Sequence, residues 1–428
     1  MKKREVVITG IGLVTPSGLG WASYWDDVLH ARSRISPIPY LAESGFRPFI
    51  AGQVVNFNIR DYIENRKQLK VMSREIQFAI AASHLALRDG GLERRAVDPF
   101  RAGISLGAGV LNVDLEEVGA GIQAGIDADG HFQMRKFGQD GLRALFPLWF
   151  LKYLPNMPAC HISIMHKFQG PCNTITTSAA AGAQAIGEAL HVIQRGDADV
   201  MLAGAADSKV NPMGLSRFHL LGLLSRKNGT IEAKDVYCPF DVSSDGMILG
   251  EGAGILLLEE REFAEKRGAH IYGEIVGYGS SSDFNCDPSC GEDYNGKCRS
   301  IERALEQAGV HPKDVDFILA NGSGIRQEDA QESQEIRKIF DKYFDRIKIT
   351  AVKPITGHMV YASAGVEIAA GIVALNEGTI PPVTNLKKAS AIGDLPYVID
   401  KPFKKHSRFF LMNSFGFGGQ NASLVVKK

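Results

Sequence analysis

Residues 170–204 read GPCNTITTSAAAGAQAIGEALHVIQRGDADVMLAG. Thr174 to Thr177 is β-branched and follows a Gly-Pro break, which predicts a strand. Ser178 to Ala181 then opens a run with apolar residues at Ala183, Ile186, Ala189, Leu190 and Ile193, the spacing of a helix face. A Gly-Asp turn and a second apolar strand follow. A strand that turns sharply into a helix exposes the first helical residue at a strained corner, under the free N–H groups and positive end of the helix. Acyl-transfer enzymes often place a Ser or Cys at such a corner, because a thiolate or an oxyanion is stabilised there. In this chain the corner is filled by alanines.

The remainder of the chain bounds what that corner can serve. Its 428 residues carry 48 basic and 48 acidic side chains, so the formal net charge is zero. This argues against nucleic acid as the main partner. The longest apolar patch, Leu145 to Leu151, is far too short to span a membrane. Cysteines stand at 160, 172, 238, 286, 290 and 298, with no secretory leader pattern at the N-terminus. They are expected to be reduced thiols in a cytoplasmic protein. Cys286, Cys290 and Cys298 fall in a polar stretch read as a loop, without a nearby histidine, and match no zinc spacing, so no metal is expected.

Arg4 to Gly10 is an apolar strand that enters Gly10-Ile11-Gly12. The next glycines are Gly18 and Gly20, so the dinucleotide fingerprint fails and the pair is read as a tight turn. Residues 60–90 look helical, and Ala102 to Gly109 reads as a buried strand. Residues 110–150 are poorly periodic and are expected to form an excursion from the core. The glycine-rich stretch 245–254 leads into a strand at Ile255 to Glu259, then a charged helix. From Ile271 the alternation restarts, with strands near 316–320 and 348–352 and helices near 299–309 and 329–340. Alternating strands and helices argue for α/β layers. The restart suggests two similarly built halves, 1–258 and 259–428, without a flexible linker between them.

The second half carries its own strand-end turns: Ala320-Asn321-Gly322-Ser323-Gly324, Lys353-Pro354-Ile355-Thr356-Gly357-His358, and Asn413 to Asn421 between two strands. Strand ends are where α/β folds assemble sites. Singly, Asn321 reads as a turn residue, Lys353 as a surface charge and His358 as a structural histidine. Together and in this order, the motifs VVITGIG, GDADVMLAGAAD, CPFD, DGMILGEGAGILLLE, the Lys353/TGH block and NSFGFGGQN resemble the β-ketoacyl-acyl-carrier-protein synthases, condensing enzymes of the thiolase fold. The resemblance runs almost end to end.

It implies an α/β fold of five layers, αβαβα, with two duplicated halves and a dimer formed partly through the strand before the corner. The family's catalysts are a Cys that accepts the acyl chain, two His that stabilise an enolate, and a Lys. By motif, the Cys position falls on Ala179, the first His on Asn321, the second on His358 and the Lys on Lys353. Asp329, Glu332 and Glu367 match acidic positions. The amides of Ala179 and Phe417 match the oxyanion hole, and the Phe417 ring matches a gate to acyl entry. The second threonine that touches the pantetheine arm falls on Ile325, another departure. No bound cofactor is implied, since substrate arrives on the phosphopantetheine of acyl carrier protein. Arg66, Lys67, Lys70 and Arg74 resemble the basic docking region for that acidic partner; the alternative is a solvated charged helix face.

Alanine cannot form a thioester. Asn321 can still donate a hydrogen bond to an enolate oxygen, as can His358. Three readings follow. The chain is a non-condensing partner of an active ketosynthase, like a chain length factor, in a homo- or heterodimer. Alternatively, it is a malonyl-carrier-protein decarboxylase that supplies acetyl starters. In the third, it is an ordinary synthase with alanine introduced at 179, against which the Asn at 321 argues.

Overall fold

The computed structural model describes residues 4–47, 49–92, 97–109, 113–227, 231–283, 296–390 and 395–428. Among these, eleven strands form one hydrogen-bonded sheet. It consists of two halves with the same internal plan. In the first, Val6–Thr15 and Val200–Ser208 flank Glu251–Glu260 as antiparallel neighbours, and Ala102–Gly107 and Cys172–Ile175 follow in parallel. In the second, Gly273–Ser282 and Phe409–Phe415 flank Gln420–Lys427 as antiparallel neighbours, and Phe317–Leu319 and Lys348–Thr350 follow in parallel. The halves join where Val7 and Ile8 pair with Glu274 and Gly273. The expected junction at 258/259 falls inside the strand Glu251–Glu260.

Both faces of the sheet are covered, which explains why its strands are apolar runs and not alternating ones. Leu256 and Leu258 point to one core while Ile255 and Leu257 point to another. The first core holds the helices Ala181–Arg195 and Ser363–Glu377, packed against strands of both halves. The helices Arg74–Asp89 and Met157–His166 cover the outside of the N-terminal half. Gly296–Ala308 and Arg326–Phe340 cover the outside of the C-terminal half. The result is the expected five layers, αβαβα.

Two expectations are corrected. Gly10 and Gly12 make no turn: both lie inside the strand Val6–Thr15. A Cβ at Gly10 would stand 2.2 Å from the Ala86 carbonyl oxygen, and one at Gly12 would stand 1.9 Å from that of Ala82. The glycines are there to let the helix Arg74–Asp89 lie directly on the strand. Cys298 is not in a loop but buried on the helix Gly296–Ala308, while Cys286 and Cys290 lie outside the described residues. No cluster of metal-ligating side chains occurs among the described residues, and no helix there is long and apolar enough to cross a membrane. The stretch 113–153 carries short helices, and Phe132, Met134, Leu142, Phe146 and Phe150 on it are exposed, as an excursion from the core would have them.

Candidate active site

The corner forms as its sequence predicts. The strand Cys172–Ile175 ends, a 3-10 turn spans Ser178–Ala180, and the helix Ala181–Arg195 begins. Ser178 takes φ +56°, a left-handed backbone unfavourable for a residue with a side chain. The small run around it is what the packing requires: a Cβ at Gly182 would stand 2.5 Å from the Tyr361 carbonyl oxygen, and one at Gly107 would stand 2.5 Å from the Gly182 nitrogen. The residue at the corner, Ala179, is 1% exposed. Its carbonyl accepts a hydrogen bond of 3.0 Å from Ser414 Oγ on the strand Phe409–Phe415 of the other half.

The second half supplies polar groups from three strand ends. Glu332 sits on the helix Arg326–Phe340 and accepts from the backbone N–H groups of Asn321 at 2.7 Å and Gly322 at 2.9 Å, and from Asn413 Nδ2 at 3.2 Å. These bonds fix the turn that carries Asn321. The Asn321 side-chain carbonyl then accepts from Lys353 Nζ at 3.2 Å and from the Phe415 N–H at 3.3 Å. With its oxygen held on that side, the amide NH2 faces the other way. Lys353 Nζ also donates to the Asn321 backbone carbonyl and pairs with Glu367 at 2.6 Å. Burial pushes the Glu367 carboxyl up, and the nearby Lys353 charge partly opposes this. Asp329 stands one step further out, accepting from the N–H groups of Phe240 at 2.9 Å and Gly324 at 3.1 Å and from Ser323 Oγ at 3.1 Å. Burial raises its pKa to about 7.

His358 is fully buried, and its Nδ1 accepts the Val360 N–H at 3.0 Å. Val360, which donates that bond, has φ +40°. Burial, then the charges of Lys353 and Lys209, push the imidazole pKa well down, so the ring is neutral. A neutral ring with Nδ1 accepting carries its proton on Nε2. His358 Nε2 is buried, with no hydrogen-bond partner among the described residues. A buried donor left open in this way is costly unless something else accepts from it. The Phe417 ring lies 5.6 Å from the imidazole and 6.1 Å from the Phe218 ring, on the Gly416–Gly419 turn.

The structure thus brings Asn321, Lys353, Glu332 and Glu367 into one hydrogen-bonded group, with Phe417 against His358. The turn Ser178–Ala180 packs on Val360–Ala362, immediately beyond His358. Arg66, Lys67 and Lys70 lie exposed on the 3-10 turn Arg66–Val71 and form no ion pair among the described residues. Arg74 differs from them. Its guanidinium bonds Glu251 at 2.7 and 3.0 Å and the Val54 carbonyl at 2.7 Å, so its charge is already matched by a carboxylate 1% exposed. Sequence reasoning missed Ser414 and a buried charged group, Glu75, Asp207 and Lys209, beside Tyr361. The signal for the last was an Asp-Ser-Lys run closing an otherwise apolar strand.

Fold and site together define a ketosynthase-type protein. The chain matches the family described as β-ketoacyl synthase, N-terminal domain, over residues 3–264, and its C-terminal counterpart over residues 272–387. It belongs to the β-ketoacyl synthase family. It is similar to 3-oxoacyl-[acyl-carrier-protein] synthase 2 of Vibrio harveyi, with 33% identity across 100% of this chain and 99% of that one. It is also similar to a chain of the ishigamide ketosynthase/chain length factor, with TM-score 0.86 and 30% identity across 100% of this chain and 99% of that one. A chain from a type II PKS acyl-carrier protein in complex with its ketosynthase matches with TM-score 0.83 and 27% identity, again across 100% and 99%.

Proposed function

We propose that this chain acts in fatty-acid or polyketide synthesis as a non-condensing, chain-length-factor-like partner of an active ketosynthase. The observation that carries this reading is the alanine at the corner. The fold, the strained backbone and the helix N-terminus that would activate a thiol there are all present, and the thiol is not. Among the described residues, no other cysteine takes its place. Cys172 is exposed on the edge strand, and burial of its sulfur together with Cys160 pushes its thiol up, away from a reactive thiolate. Ser178 turns toward the Gly416 turn, where a Cβ on Gly416 would stand 3.3 Å from its own. In this reading Ala179, Asn321, Lys353 and His358 occupy the catalytic positions, with Glu332, Glu367 and Asp329 behind them. Its two units are the halves expected at 1–258 and 259–428, with the strand Glu251–Glu260 running across their junction.

The strand Cys172–Ile175 supports a dimer. It ends the sheet, and among the described residues its outer edge has no partner, a feature that proteins normally cover. The similarity to a ketosynthase complexed with acyl-carrier protein supports substrate delivery on phosphopantetheine. Two measurements test the reading. Intact mass after incubation with acetyl-carrier protein or cerulenin should show no adduct on the isolated chain. A cysteine-bearing ketosynthase from the same source should co-purify with it and condense only in its presence. An adduct on Cys172 or Ser178, or a partner fully active alone, would refute it.

A second reading, malonyl-carrier-protein decarboxylase, is favoured by one observation: the open Nε2–H of His358 together with the outward NH2 of Asn321. Two donors converging on a thioester oxygen are what an enolate needs. Release of CO2 from malonyl-carrier protein by the isolated chain would select this reading over the first.

A further inference from the structure

The space leading away from the Ala179 corner is narrowed by one ring. The Tyr361 ring stands so close to the backbone of Gly109 that a Cβ there would lie 2.0 Å from Cζ and 2.1 Å from the hydroxyl oxygen. Tyr361 belongs to the same apolar cluster as Ala179, with its backbone against Gly182. Its ring therefore fills the gap between the end of the strand Ala102–Gly107 and the corner turn. It is also pinned there from two sides. Lys209 Nζ lies 3.7 Å from the ring centroid, within cation–π range, and pairs with Asp207 at 2.5 Å. The other Asp207 oxygen accepts the Tyr361 N–H at 3.2 Å. Lys209, Asp207 and Glu75 are 4%, 0% and 3% exposed. Three buried polar groups behind one ring, the Lys209–Asp207 pair and Glu75, leave an apolar chain nowhere favourable to continue, since it would have to separate or desolvate them.

We propose that Tyr361, held by Lys209 and Asp207, is a plug that sets chain length at this subunit's corner: a two- or three-carbon acyl thioester fits beside Ala179, and a long acyl chain is excluded. This rests on reading the Ala179 corner as the acyl-receiving position. Any long chain handled by a ketosynthase pair would then lie wholly on the partner's side.

The test uses acetyl-pantetheine and dodecanoyl-pantetheine as probes, titrated calorimetrically against the full-length chain and its Tyr361→Ala and Tyr361→Phe variants. The wild type should bind the acetyl probe and reject the dodecanoyl probe. Tyr361→Ala should gain at least tenfold in dodecanoyl affinity with acetyl affinity unchanged, and Tyr361→Phe, which keeps the ring, should behave as wild type. Where Tyr361→Ala fails to fold by circular dichroism, Tyr361→Leu takes its place with the same expected gain. Equal binding of both probes by the wild type overturns the plug, as does rejection of the dodecanoyl probe by a folded Ala or Leu variant that still binds acetyl. Both results leave the non-condensing reading standing. Failure of every form to bind either probe overturns the plug and the reading of the corner together.

Discussion

His358 Nδ1 accepts the backbone N–H of Val360 at 3.0 Å, and this one bond decides which ring nitrogen carries the proton. The donor is Nε2, buried and open. Asn321 is set by the same device, its carbonyl turned to Lys353 and the Phe415 N–H so that its NH2 faces away from them. Both donors are therefore aligned by main-chain and lysine contacts before any ligand arrives.

The Ala179→Cys variant should accept an acetyl group from acetyl-carrier protein, seen as an adduct at residue 179 by peptide mass spectrometry. In that background, His358→Ala should lower malonyl decarboxylation by about 10²–10³, the usual loss for one oxyanion-type donor. Asn321→Ala should lower it similarly, and Asn321→His should not. Release of labelled CO2 measures each. An unchanged rate in Ala179→Cys/His358→Ala would show that the imidazole faces no reacting oxygen.

The depressed His358 pKa has a stability consequence with a definite sign. Below the ordinary imidazole value of 6.5 the unfolded chain takes up a proton that the folded chain refuses. The unfolded state then binds more protons, so stability falls as pH drops from about 6.5 toward the folded pKa, by at most ~1.4 kcal/mol per pH unit. His358→Gln should lack this component. The gap between variant and wild type in urea unfolding should thus shift in the variant's favour between pH 7 and pH 5. Parallel curves would contradict the depressed pKa.

Lys353 and Glu367 are each 3% exposed and pair at 2.6 Å. Removing one partner of such a pair strands the other, which typically costs about 3–5 kcal/mol. Lys353→Met should be destabilised by that order, and adding Glu367→Gln should recover part of it. A double-mutant cycle by urea denaturation reads the coupling. Strict additivity would mean that the two side chains do not depend on each other.

Arg66, Lys67 and Lys70 should behave differently from Arg74. Reversing the first three to Glu should weaken carrier-protein binding roughly tenfold at low salt, with the difference shrinking at high ionic strength, because exposed charges act through screened attraction. Arg74→Ala should leave the salt dependence alone and instead lower stability, because it strips the buried Glu251 of its cation. Surface plasmon resonance at two salt concentrations and thermal melts separate the two effects. Loss of salt-dependent binding in Arg74→Ala would place it with the docking charges.

The sequence by itself determined the layers and the corner. Alternating apolar strands and amphipathic helices are written in neighbours two to four positions apart, and the small residues from 178 mark the turn where the strand passes into the helix. The resemblance carried by strand-end motifs placed Asn321, Lys353, His358 and Phe417 at one site, although each alone read as bland. What only the tertiary structure decided are contacts between residues far apart in the chain. Gly10 and Gly12 looked like a turn because paired glycines usually punctuate, and their reason lies in the carbonyls of Ala82 and Ala86 on another element. Arg74 looked like the end of a basic cluster, and its partner Glu251 stands 177 residues away. The direction of the Asn321 amide is set by Lys353 and Phe415 at other strand ends of the same half, and the Tyr361 ring meets Gly109 only when the halves pack. A local pattern encodes which face is buried, whereas the orientation of a polar group depends on which distant donor or acceptor reaches it first.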